Sequence, residues 1–488
     1  MRLNQALLET LPTTIERPRY DRRGLATGIV HLGLGAFHRA HQAVYTEDVL
    51  NREPGPWGIV GVSLRSPDTR DALAPQNDLY AVAVKDGSGQ RLRVVGALTG
   101  CLVAPENPEA VLAAMAAGDT RIVSLTVTEK GYCHDPATGA LNCDHPDVKR
   151  DLGNPERPVS ALGYIVEALI RRREAKLPPF TVMSCDNLPH NGKTIAGLVA
   201  ALAEERETGF GQWVEDHVCF PSTMVDRIVP ATTEEDRAAV VRDLGVEDAW
   251  PVVAEPFKQW VIEDCFNAGR PNWESVGAQI VGDVAPFEMI KLRLLNGSHS
   301  TLAYLGYLAG FETIAETIAQ PAFARHVRAL MEEQTATLTI PPGFDIAEYK
   351  AQLIDRFANP ALKHRTWQIA MDGSQKLPQR LLQPARARLA MGLPVDRIAF
   401  GVAAWMRYVT GVDEKTQPID VRDPLAARLA AIAAEAGPVA GRLAPALLGV
   451  REVFGEDLPT SPVFAAAVTA ALEKIYALGA HAAVERLT

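Results

Sequence analysis

The chain has 488 residues, 47% hydrophobic and 22% charged, with 59 acidic against 49 basic side chains and a net charge of −10. At roughly 100–200 residues per domain this is room for two to four domains, and a mean hydropathy of −0.02 without low-complexity tracts excludes wholesale disorder. The acidic balance argues against nucleic acid as the main partner, because Lys and Arg are what displace counterions from phosphates.

The first segment, MRLNQALLETLPTTIERP, is broken by polar and acidic residues where a signal peptide keeps its apolar core. No later run reaches the ~18 apolar residues of a membrane span, so a cytoplasmic protein without a membrane partner is expected. Gly28–Leu32 is a β-rich run that ends in the glycine turn Gly33-Leu34-Gly35 and a helical pattern. Further predicted strands are Ile59–Leu64, Tyr80–Val84, Leu92–Val95, Ile122–Val127 and Phe180–Ser184, separated by helical patterns such as Glu109–Ala117 and Ala161–Arg173. This alternation predicts an α/β, Rossmann-type domain with a largely parallel sheet. From Phe287 onward helical patterns dominate, among them Glu288–Leu308, Gln320–Glu333, Pro378–Met391, Ala399–Thr410, Pro424–Ala434 and Pro462–Leu478. The expected division is therefore 1–282, which binds a dinucleotide, and a mostly α-helical substrate domain over 283–488. The cysteines, at 101, 133, 143, 185, 219 and 265, form no CxxC pair and read as reduced thiols, with no metal site expected.

A dinucleotide fold needs one glycine for the tight turn and one for close approach to the pyrophosphate, whose charge the next helix N-terminus stabilises. Gly33 and Gly35 fit these places, with Ala36 and Phe37 opening the helix; His38 stands where the third glycine of GxGxxG would be. Beyond the second predicted strand, Asp68 is placed either to accept the ribose hydroxyls of NAD or to cap a helix over Thr69–Leu73. Arg65 beside it is a candidate for a phosphate. NAD(H) is the expected cofactor.

Lys291, Asn296 and His299 fall within an arc of about 140° on an α-helix. A desolvated Lys can move the proton of an alcohol, an Asn amide can stabilise the oxyanion, and a His can orient a neighbouring hydroxyl. The same residues also suit a solvated Lys, a helix Asn and a core His, but polar groups on an otherwise apolar helix need partners. Asn187, after strand Phe180–Ser184, is a second oxyanion donor or a turn residue. Glu129, after Ile122–Val127, is placed to bind a hydroxyl or relay a proton. A different class of reading, a metal site on His31, His38 and His41, would show itself by loss of function with a chelator.

The stretches IVHLGLGAFHRAHQA, SLTVTEKGYC, FTVMSCDNLPHNG, MVDRIVP, AWPVVAEPF and KLRLLNGSHS together resemble the mannitol dehydrogenase family of polyol-specific long-chain dehydrogenases and reductases. The resemblance covers most of the chain, and His38 belongs to the family's GxGxFHRAH variant. It implies zinc-independent hydride transfer between a nicotinamide and a secondary alcohol carbon. Lys291 matches the family's acid–base, Asn187 and Asn296 its oxyanion pair, and His299 its substrate-orienting histidine. Glu129 and Asp226 match acidic positions at the substrate or on the proton path, and Glu288 a residue on the proton route to solvent. The segment from Asn359 to Arg380 is more similar to the branch acting on uronates, the fructuronate reductases, than to mannitol dehydrogenases. That makes D-fructuronate and D-mannonate the expected pair and D-fructose and D-mannitol the alternative. Arg365, Lys376 and Arg380 are the candidate partners of a carboxylate. The expected partners are a small sugar acid or polyol and, for assembly, a monomer or small homo-oligomer.

Overall fold

The structure, a computed structural model, describes residues 1–135 and 138–487. The chain divides into two compact units, Met1–Ala285 and Pro286–Thr488.

In the first unit the strands are β1 (Thr27–Leu32), β2 (Gly58–Ser63), β3 (Tyr80–Asp86), β4 (Gly89–Val95), β5 (Leu98–Val103), β6 (Ile122–Leu125), β7 (Thr181–Ser184), β8 (Thr223–Asp226), β9 (Val252–Ala254), β10 (Gln259–Glu263) and β11 (Gln279–Val281). Five of them form one sheet in the order β5-β2-β1-β6-β7, with every pairing parallel. The chain moves outward from β1 to β2 and later returns to the other side of β1 as β6. This reversal makes the carboxyl ends of β1 and β6 a topological switch point, where α/β sheets open a crevice.

The sheet is covered on both faces, so its strands read as apolar runs rather than alternating ones. Val30, Leu32, Val123 and Leu125 pack with helix residues such as Leu112, Ile165 and Leu198. Ile29, Ile59 and Ile122 face the opposite core, with Val44 and Val49 of the helix Gln42–Arg52. Two smaller sheets, β4-β3-β9 and β11-β10-β8, complete the unit. The predicted strands Tyr80–Val84 and Leu92–Val95 therefore lie outside the main sheet: β3 and β4 are an antiparallel hairpin. The sequence reading missed β5 and β8 to β11, because strands of three to six residues paired to distant segments carry little periodic signal.

The second unit is helical. Among its described residues the extended pairings are isolated bridges, Thr313 with Arg365 and Val412 with Pro418. Its longest helix, Pro462–Leu478, starts where the Ser461 side chain accepts the N–H of Phe464 and proline occupies the first turn. The helices Ile346–Phe357 and Ala440–Leu448 were not expected from sequence. Two stretches are wound as π-helix, Lys291–Gly297 and Pro378–Leu382. They lie side by side because residue 297 is glycine: a Cβ there would fall 2.7 Å from Gln334 Nε2 and 2.9 Å from the Arg380 carbonyl.

One buried charge ties the lead-ins of β6 and β7 together. Arg172, 1% exposed, donates from Nη1 to the carbonyls of Ala117 and Thr120, each at 2.8 Å, and from Nε to that of Pro178 at 2.7 Å. Arg172→Leu leaves these carbonyls without their donor and is expected to cost about 2–3 kcal/mol, at 1–3 kcal/mol for an unsatisfied buried group. Urea unfolding with the slope unchanged would measure it.

Candidate active site

The turn after β1 is built for close approach. Gly33 has φ +91°, and a Cβ on it would fall 2.2 Å from the Thr126 carbonyl oxygen beyond β6, so both conformation and space require glycine. Gly35 differs: a Cβ there would meet only the Gly33 carbonyl, at 3.8 Å, which leaves its face open. Gly35 is also the N-cap of the short helix Ala36–Ala40 and supplies no side-chain cap, so Ala36 and Phe37 begin a helix whose N–H groups no side chain closes off.

Gly33, Leu34 and Gly35 line a cavity of about 960 Å³, together with Arg65, Ser66 and Thr69 after β2 and Thr126 to Thr128 after β6. Its other wall comes from the segment around Arg150, Arg157 and Tyr164. Arg65, Lys130, Arg150 and Arg157 all line it, and none is in a salt bridge among the described residues. A chain with net negative charge thus keeps four cations outside any salt bridge around one crevice, against one lining carboxylate, Asp147, which suits a dianionic pyrophosphate. Lys130, Arg150 and Arg157 were not singled out in the sequence, since their elements meet the turn only in the fold.

Asp68 does not line the cavity, although Ser66 and Thr69 on either side of it do. It is exposed, opens the helix Asp68–Leu73 and accepts the Ser66 hydroxyl at 2.9 Å. The capping alternative is not met: the N-cap is Pro67 and no side-chain cap forms. Glu129 and Asn187 are exposed in the loops that follow β6 and β7, and Asp226 is buried at the end of β8. The two loops are fastened by a carboxylate that sequence reasoning passed over. Asp186 accepts the N–H groups of Val127 and Thr128, both at 3.0 Å, and the Tyr132 hydroxyl at 2.9 Å. Thr128 and His190 have φ of +62° and +49°, strained for residues with a side chain and held by such contacts.

His31, His38 and His41 do not gather around a point. The rings of His31 and His38 stack at 3.5 Å, and His41 donates from Nε2 to the Gln259 carbonyl at 2.9 Å. Among the described residues, the group that does come together is Cys133, His145 and Asp147, with ligand atoms within 4.8 Å of one another. There the His145 Nδ1 lone pair accepts the N–H of Asp147 and caps the helix Pro146–Gly153.

In the second unit Lys291 and Asn296 lie on the π-wound stretch and His299 on the α-helix Ser298–Leu308. The arc drawn for a regular α-helix is thereby corrected. An i→i+5 turn sets Asn296 under Lys291, where α winding would swing it about 140° away. Lys291 and His299 are buried, and Glu288 precedes Lys291 on the helix Ala285–Ile290. His299 is stacked against His364, with ring centroids 5.3 Å apart, and its Nε2 is buried without a hydrogen-bond partner. Burial holds its pKa well below the usual histidine value, and the charges of His364, Arg380, Arg356 and Lys376 push it the same way.

Arg380 donates from Nη1 to the hydroxyl of Ser300, next to His299, at 3.0 Å, and Lys376 donates to the Met371 carbonyl at 2.5 Å. Arg365 takes another direction and pairs with Glu312 at the surface. Successive side chains of an extended segment point to opposite sides; Thr313 bridges to Arg365, so His364 turns toward His299 and Arg365 turns away.

Residues 27–275 match the model of the mannitol dehydrogenase Rossmann domain and residues 283–476 that of the mannitol dehydrogenase C-terminal domain. The chain belongs to the mannitol dehydrogenase family. It is 51% identical to D-mannonate oxidoreductase of Escherichia coli over 479 residues, 97% of this chain and 98% of the relative. It is 41% identical to a mannitol dehydrogenase of Saccharomyces cerevisiae, across 99% of this chain and 97% of that one. The solved ternary complex of Pseudomonas fluorescens mannitol 2-dehydrogenase with NAD and D-mannitol is 39% identical, with a TM-score of 0.86 over 100% of this chain and 99% of that one. Like the family, this protein is an oxidoreductase, with a Rossmann-like first unit and a helical second one. Among the described residues no helix is long and apolar enough to cross a membrane.

Burial lowers the pKa of His41 to about 3. An unfolded histidine binds its proton below about 6.5, whereas His41 in the fold stays neutral down to about 3. Its contribution to stability is therefore full above pH 6.5 and is lost progressively as pH falls from there, by about 2 kcal/mol between pH 7 and 5. His41→Gln has no such proton to bind. The stability gap between wild type and variant, measured in urea, should narrow by that amount over the same interval.

Proposed function

We propose that the protein interconverts D-fructuronate and D-mannonate with NAD(H), by hydride transfer at a secondary alcohol or ketone and without zinc. The observation that carries the sugar-acid reading is the cation group about His299. Lys376 and Arg380 are half-buried, enter no salt bridge among the described residues, and lie within electrostatic reach of a neutral histidine. An arginine can hold a carboxylate through two parallel hydrogen bonds, whereas a neutral polyol offers it no charge; Lys376 is already offset in part by Asp372 and Asp423. The identity to D-mannonate oxidoreductase supports the same substrate class.

NAD(H) suits the first unit. The narrow turn at Gly33, the open face of Gly35, the start of the helix at Ala36 and Phe37, and the cations led by Arg65 fit a pyrophosphate, and the Pseudomonas relative was solved with NAD. Asp68 acts at one remove, by orienting the Ser66 hydroxyl. When bound, the coenzyme supplies or accepts the hydride at its nicotinamide ring. Lys291, buried in the second unit, gives the carbonyl oxygen its proton in reduction and takes it back in oxidation. Asn187 and Asn296 donate amide N–H groups to that oxygen as charge grows on it. His299 offers Nε2 to a neighbouring hydroxyl, Glu129 and Asp226 accept other hydroxyls, and Glu288 passes the proton toward solvent. Arg380, with Lys376, receives the carboxylate, and Arg365 has no part in it.

Three ketoses offered in parallel with NADH, D-fructuronate, D-tagaturonate and D-fructose, test the reading by loss of NADH absorbance. Fructuronate should be strongly preferred, and Arg380→Ala should raise its KM about tenfold or more while fructose turnover hardly changes. Preference for D-fructose would place the activity with the mannitol 2-dehydrogenases instead. Lys291→Ala should lower kcat about a thousandfold, within the range of a lost general acid–base, and leave the Kd for NADH within about twofold. Near-normal turnover would remove Lys291 from its role.

A further inference from the structure

Directly behind the coenzyme turn lies a row of polar groups that the reaction scheme does not use. His31, in the middle of β1, has Nδ1 2.8 Å from Ser124 Oγ and Nε2 2.9 Å from Thr126 Oγ1. Thr126 Oγ1 is also 2.9 Å from the Gly33 carbonyl oxygen, and Ser124 Oγ is 2.8 Å from the end of the Gln42 side chain. His31 and Ser124 are fully buried and Gln42 nearly so.

The protons in this row can be assigned by counting. A carbonyl only accepts, so the single hydroxyl proton of Thr126 belongs to Gly33. Thr126 must then accept from His31, whose Nε2 carries a hydrogen. A fully buried imidazole is neutral, so its Nδ1 is bare and takes the hydroxyl proton of Ser124. Ser124 in turn must accept, and the group that can donate to it is the amide nitrogen of Gln42. With the amide oxygen facing Ser124, both ends of the row would require a charged ring, and Gln42 Nε2 and both His38 ring nitrogens would be buried without partners. Turning the amide over supplies Ser124 with its donor.

We propose that Gln42, Ser124, His31 and Thr126 form one directed hydrogen-bond chain that ends on the Gly33 carbonyl and pre-sets the turn for NAD(H), making Thr126, His31 and Ser124 positioning residues for the coenzyme. The inference rests on the nicotinamide-nucleotide reading of that turn. The Gly33 carbonyl also accepts the N–H of Gly35 at 2.7 Å, so its peptide is held from both sides. A turn fixed in advance does not have to be ordered by the ligand, and the saving appears as affinity.

The full-length protein tests this in two ways. NADH titration by fluorescence should give a Kd raised at least about fivefold in Thr126→Val and in Ser124→Ala, and restored to within about twofold in Thr126→Ser. The KM for the ketose at saturating NADH should stay put. Ser124 does not line the cavity, so an effect there can travel only through the chain. A folded Ser124→Ala that binds NADH like wild type overturns the proposal. Should Ser124→Ala fail to fold, the nitrogen-15 spectrum of histidine-labelled wild-type protein decides. At pH 7 His31 should be the neutral ring with hydrogen on Nε2; a doubly protonated ring, or hydrogen on Nδ1, overturns the chain. Failure of the wild type to bind NADH would sink the coenzyme reading instead, and the histidine spectrum would still report on the chain.

Discussion

The first unit depends on how closely β1 and β6 approach at their carboxyl ends. The Thr126 carbonyl stands where any side chain at position 33 would have to go, so the glycine there is dictated by its neighbour strand as much as by the turn. The approach brings the Thr126 hydroxyl onto the Gly33 carbonyl and His31 behind both. It also opens the crevice in front, because the chain leaves β1 and β6 in different directions at the switch point. Cavity, turn and buried polar row are one packing solution viewed from three sides.

The second unit achieves comparable closeness by winding. Lys291–Gly297 departs from α geometry where Gly297 allows it to lie against Pro378–Leu382, and Gln334 spans the contact by donating to the Arg380 carbonyl at 3.0 Å. The stretch bearing Lys291 is thus braced by the stretch bearing Arg380. Left-handed backbone at Lys363 and Asp372, with φ of +46° and +55°, marks the bends that deliver this second stretch.

Much of this was legible in the residues. Apolar runs bounded by turn signals located β1, β2, β6 and β7, because a sheet covered on both faces leaves its strands no polar side. Pro462–Leu478 was readable to the residue, since serine, proline and glycine mark its ends. What escaped reading was set by distance or by winding. Strands β8 to β11 are short and paired across the chain. The π turns obey no period that a sequence window can count. The basic cluster after Asn359 showed charge but not direction: one residue of alternation sends His364 toward His299 and Arg365 toward Glu312. Asp68 lay in the right loop, between Ser66 and Thr69, which face the cavity.

The register of the central strand pair has a consequence for how the molecule comes into being. Ile29 of β1 pairs with Ile122 of β6, so the turn at Gly33 cannot lock until a segment far along the chain has been made and has docked. The neighbour present earlier, β2, secures only one side, through the Val62 carbonyl. Non-local parallel pairing of this kind is slow to nucleate, because loop-closure entropy is lost before the contacts repay it. During synthesis the nascent chain would carry an exposed β1 edge for the whole interval, the period in which a chaperone has most to offer. Nucleotide affinity would then have to wait for the docking of β6.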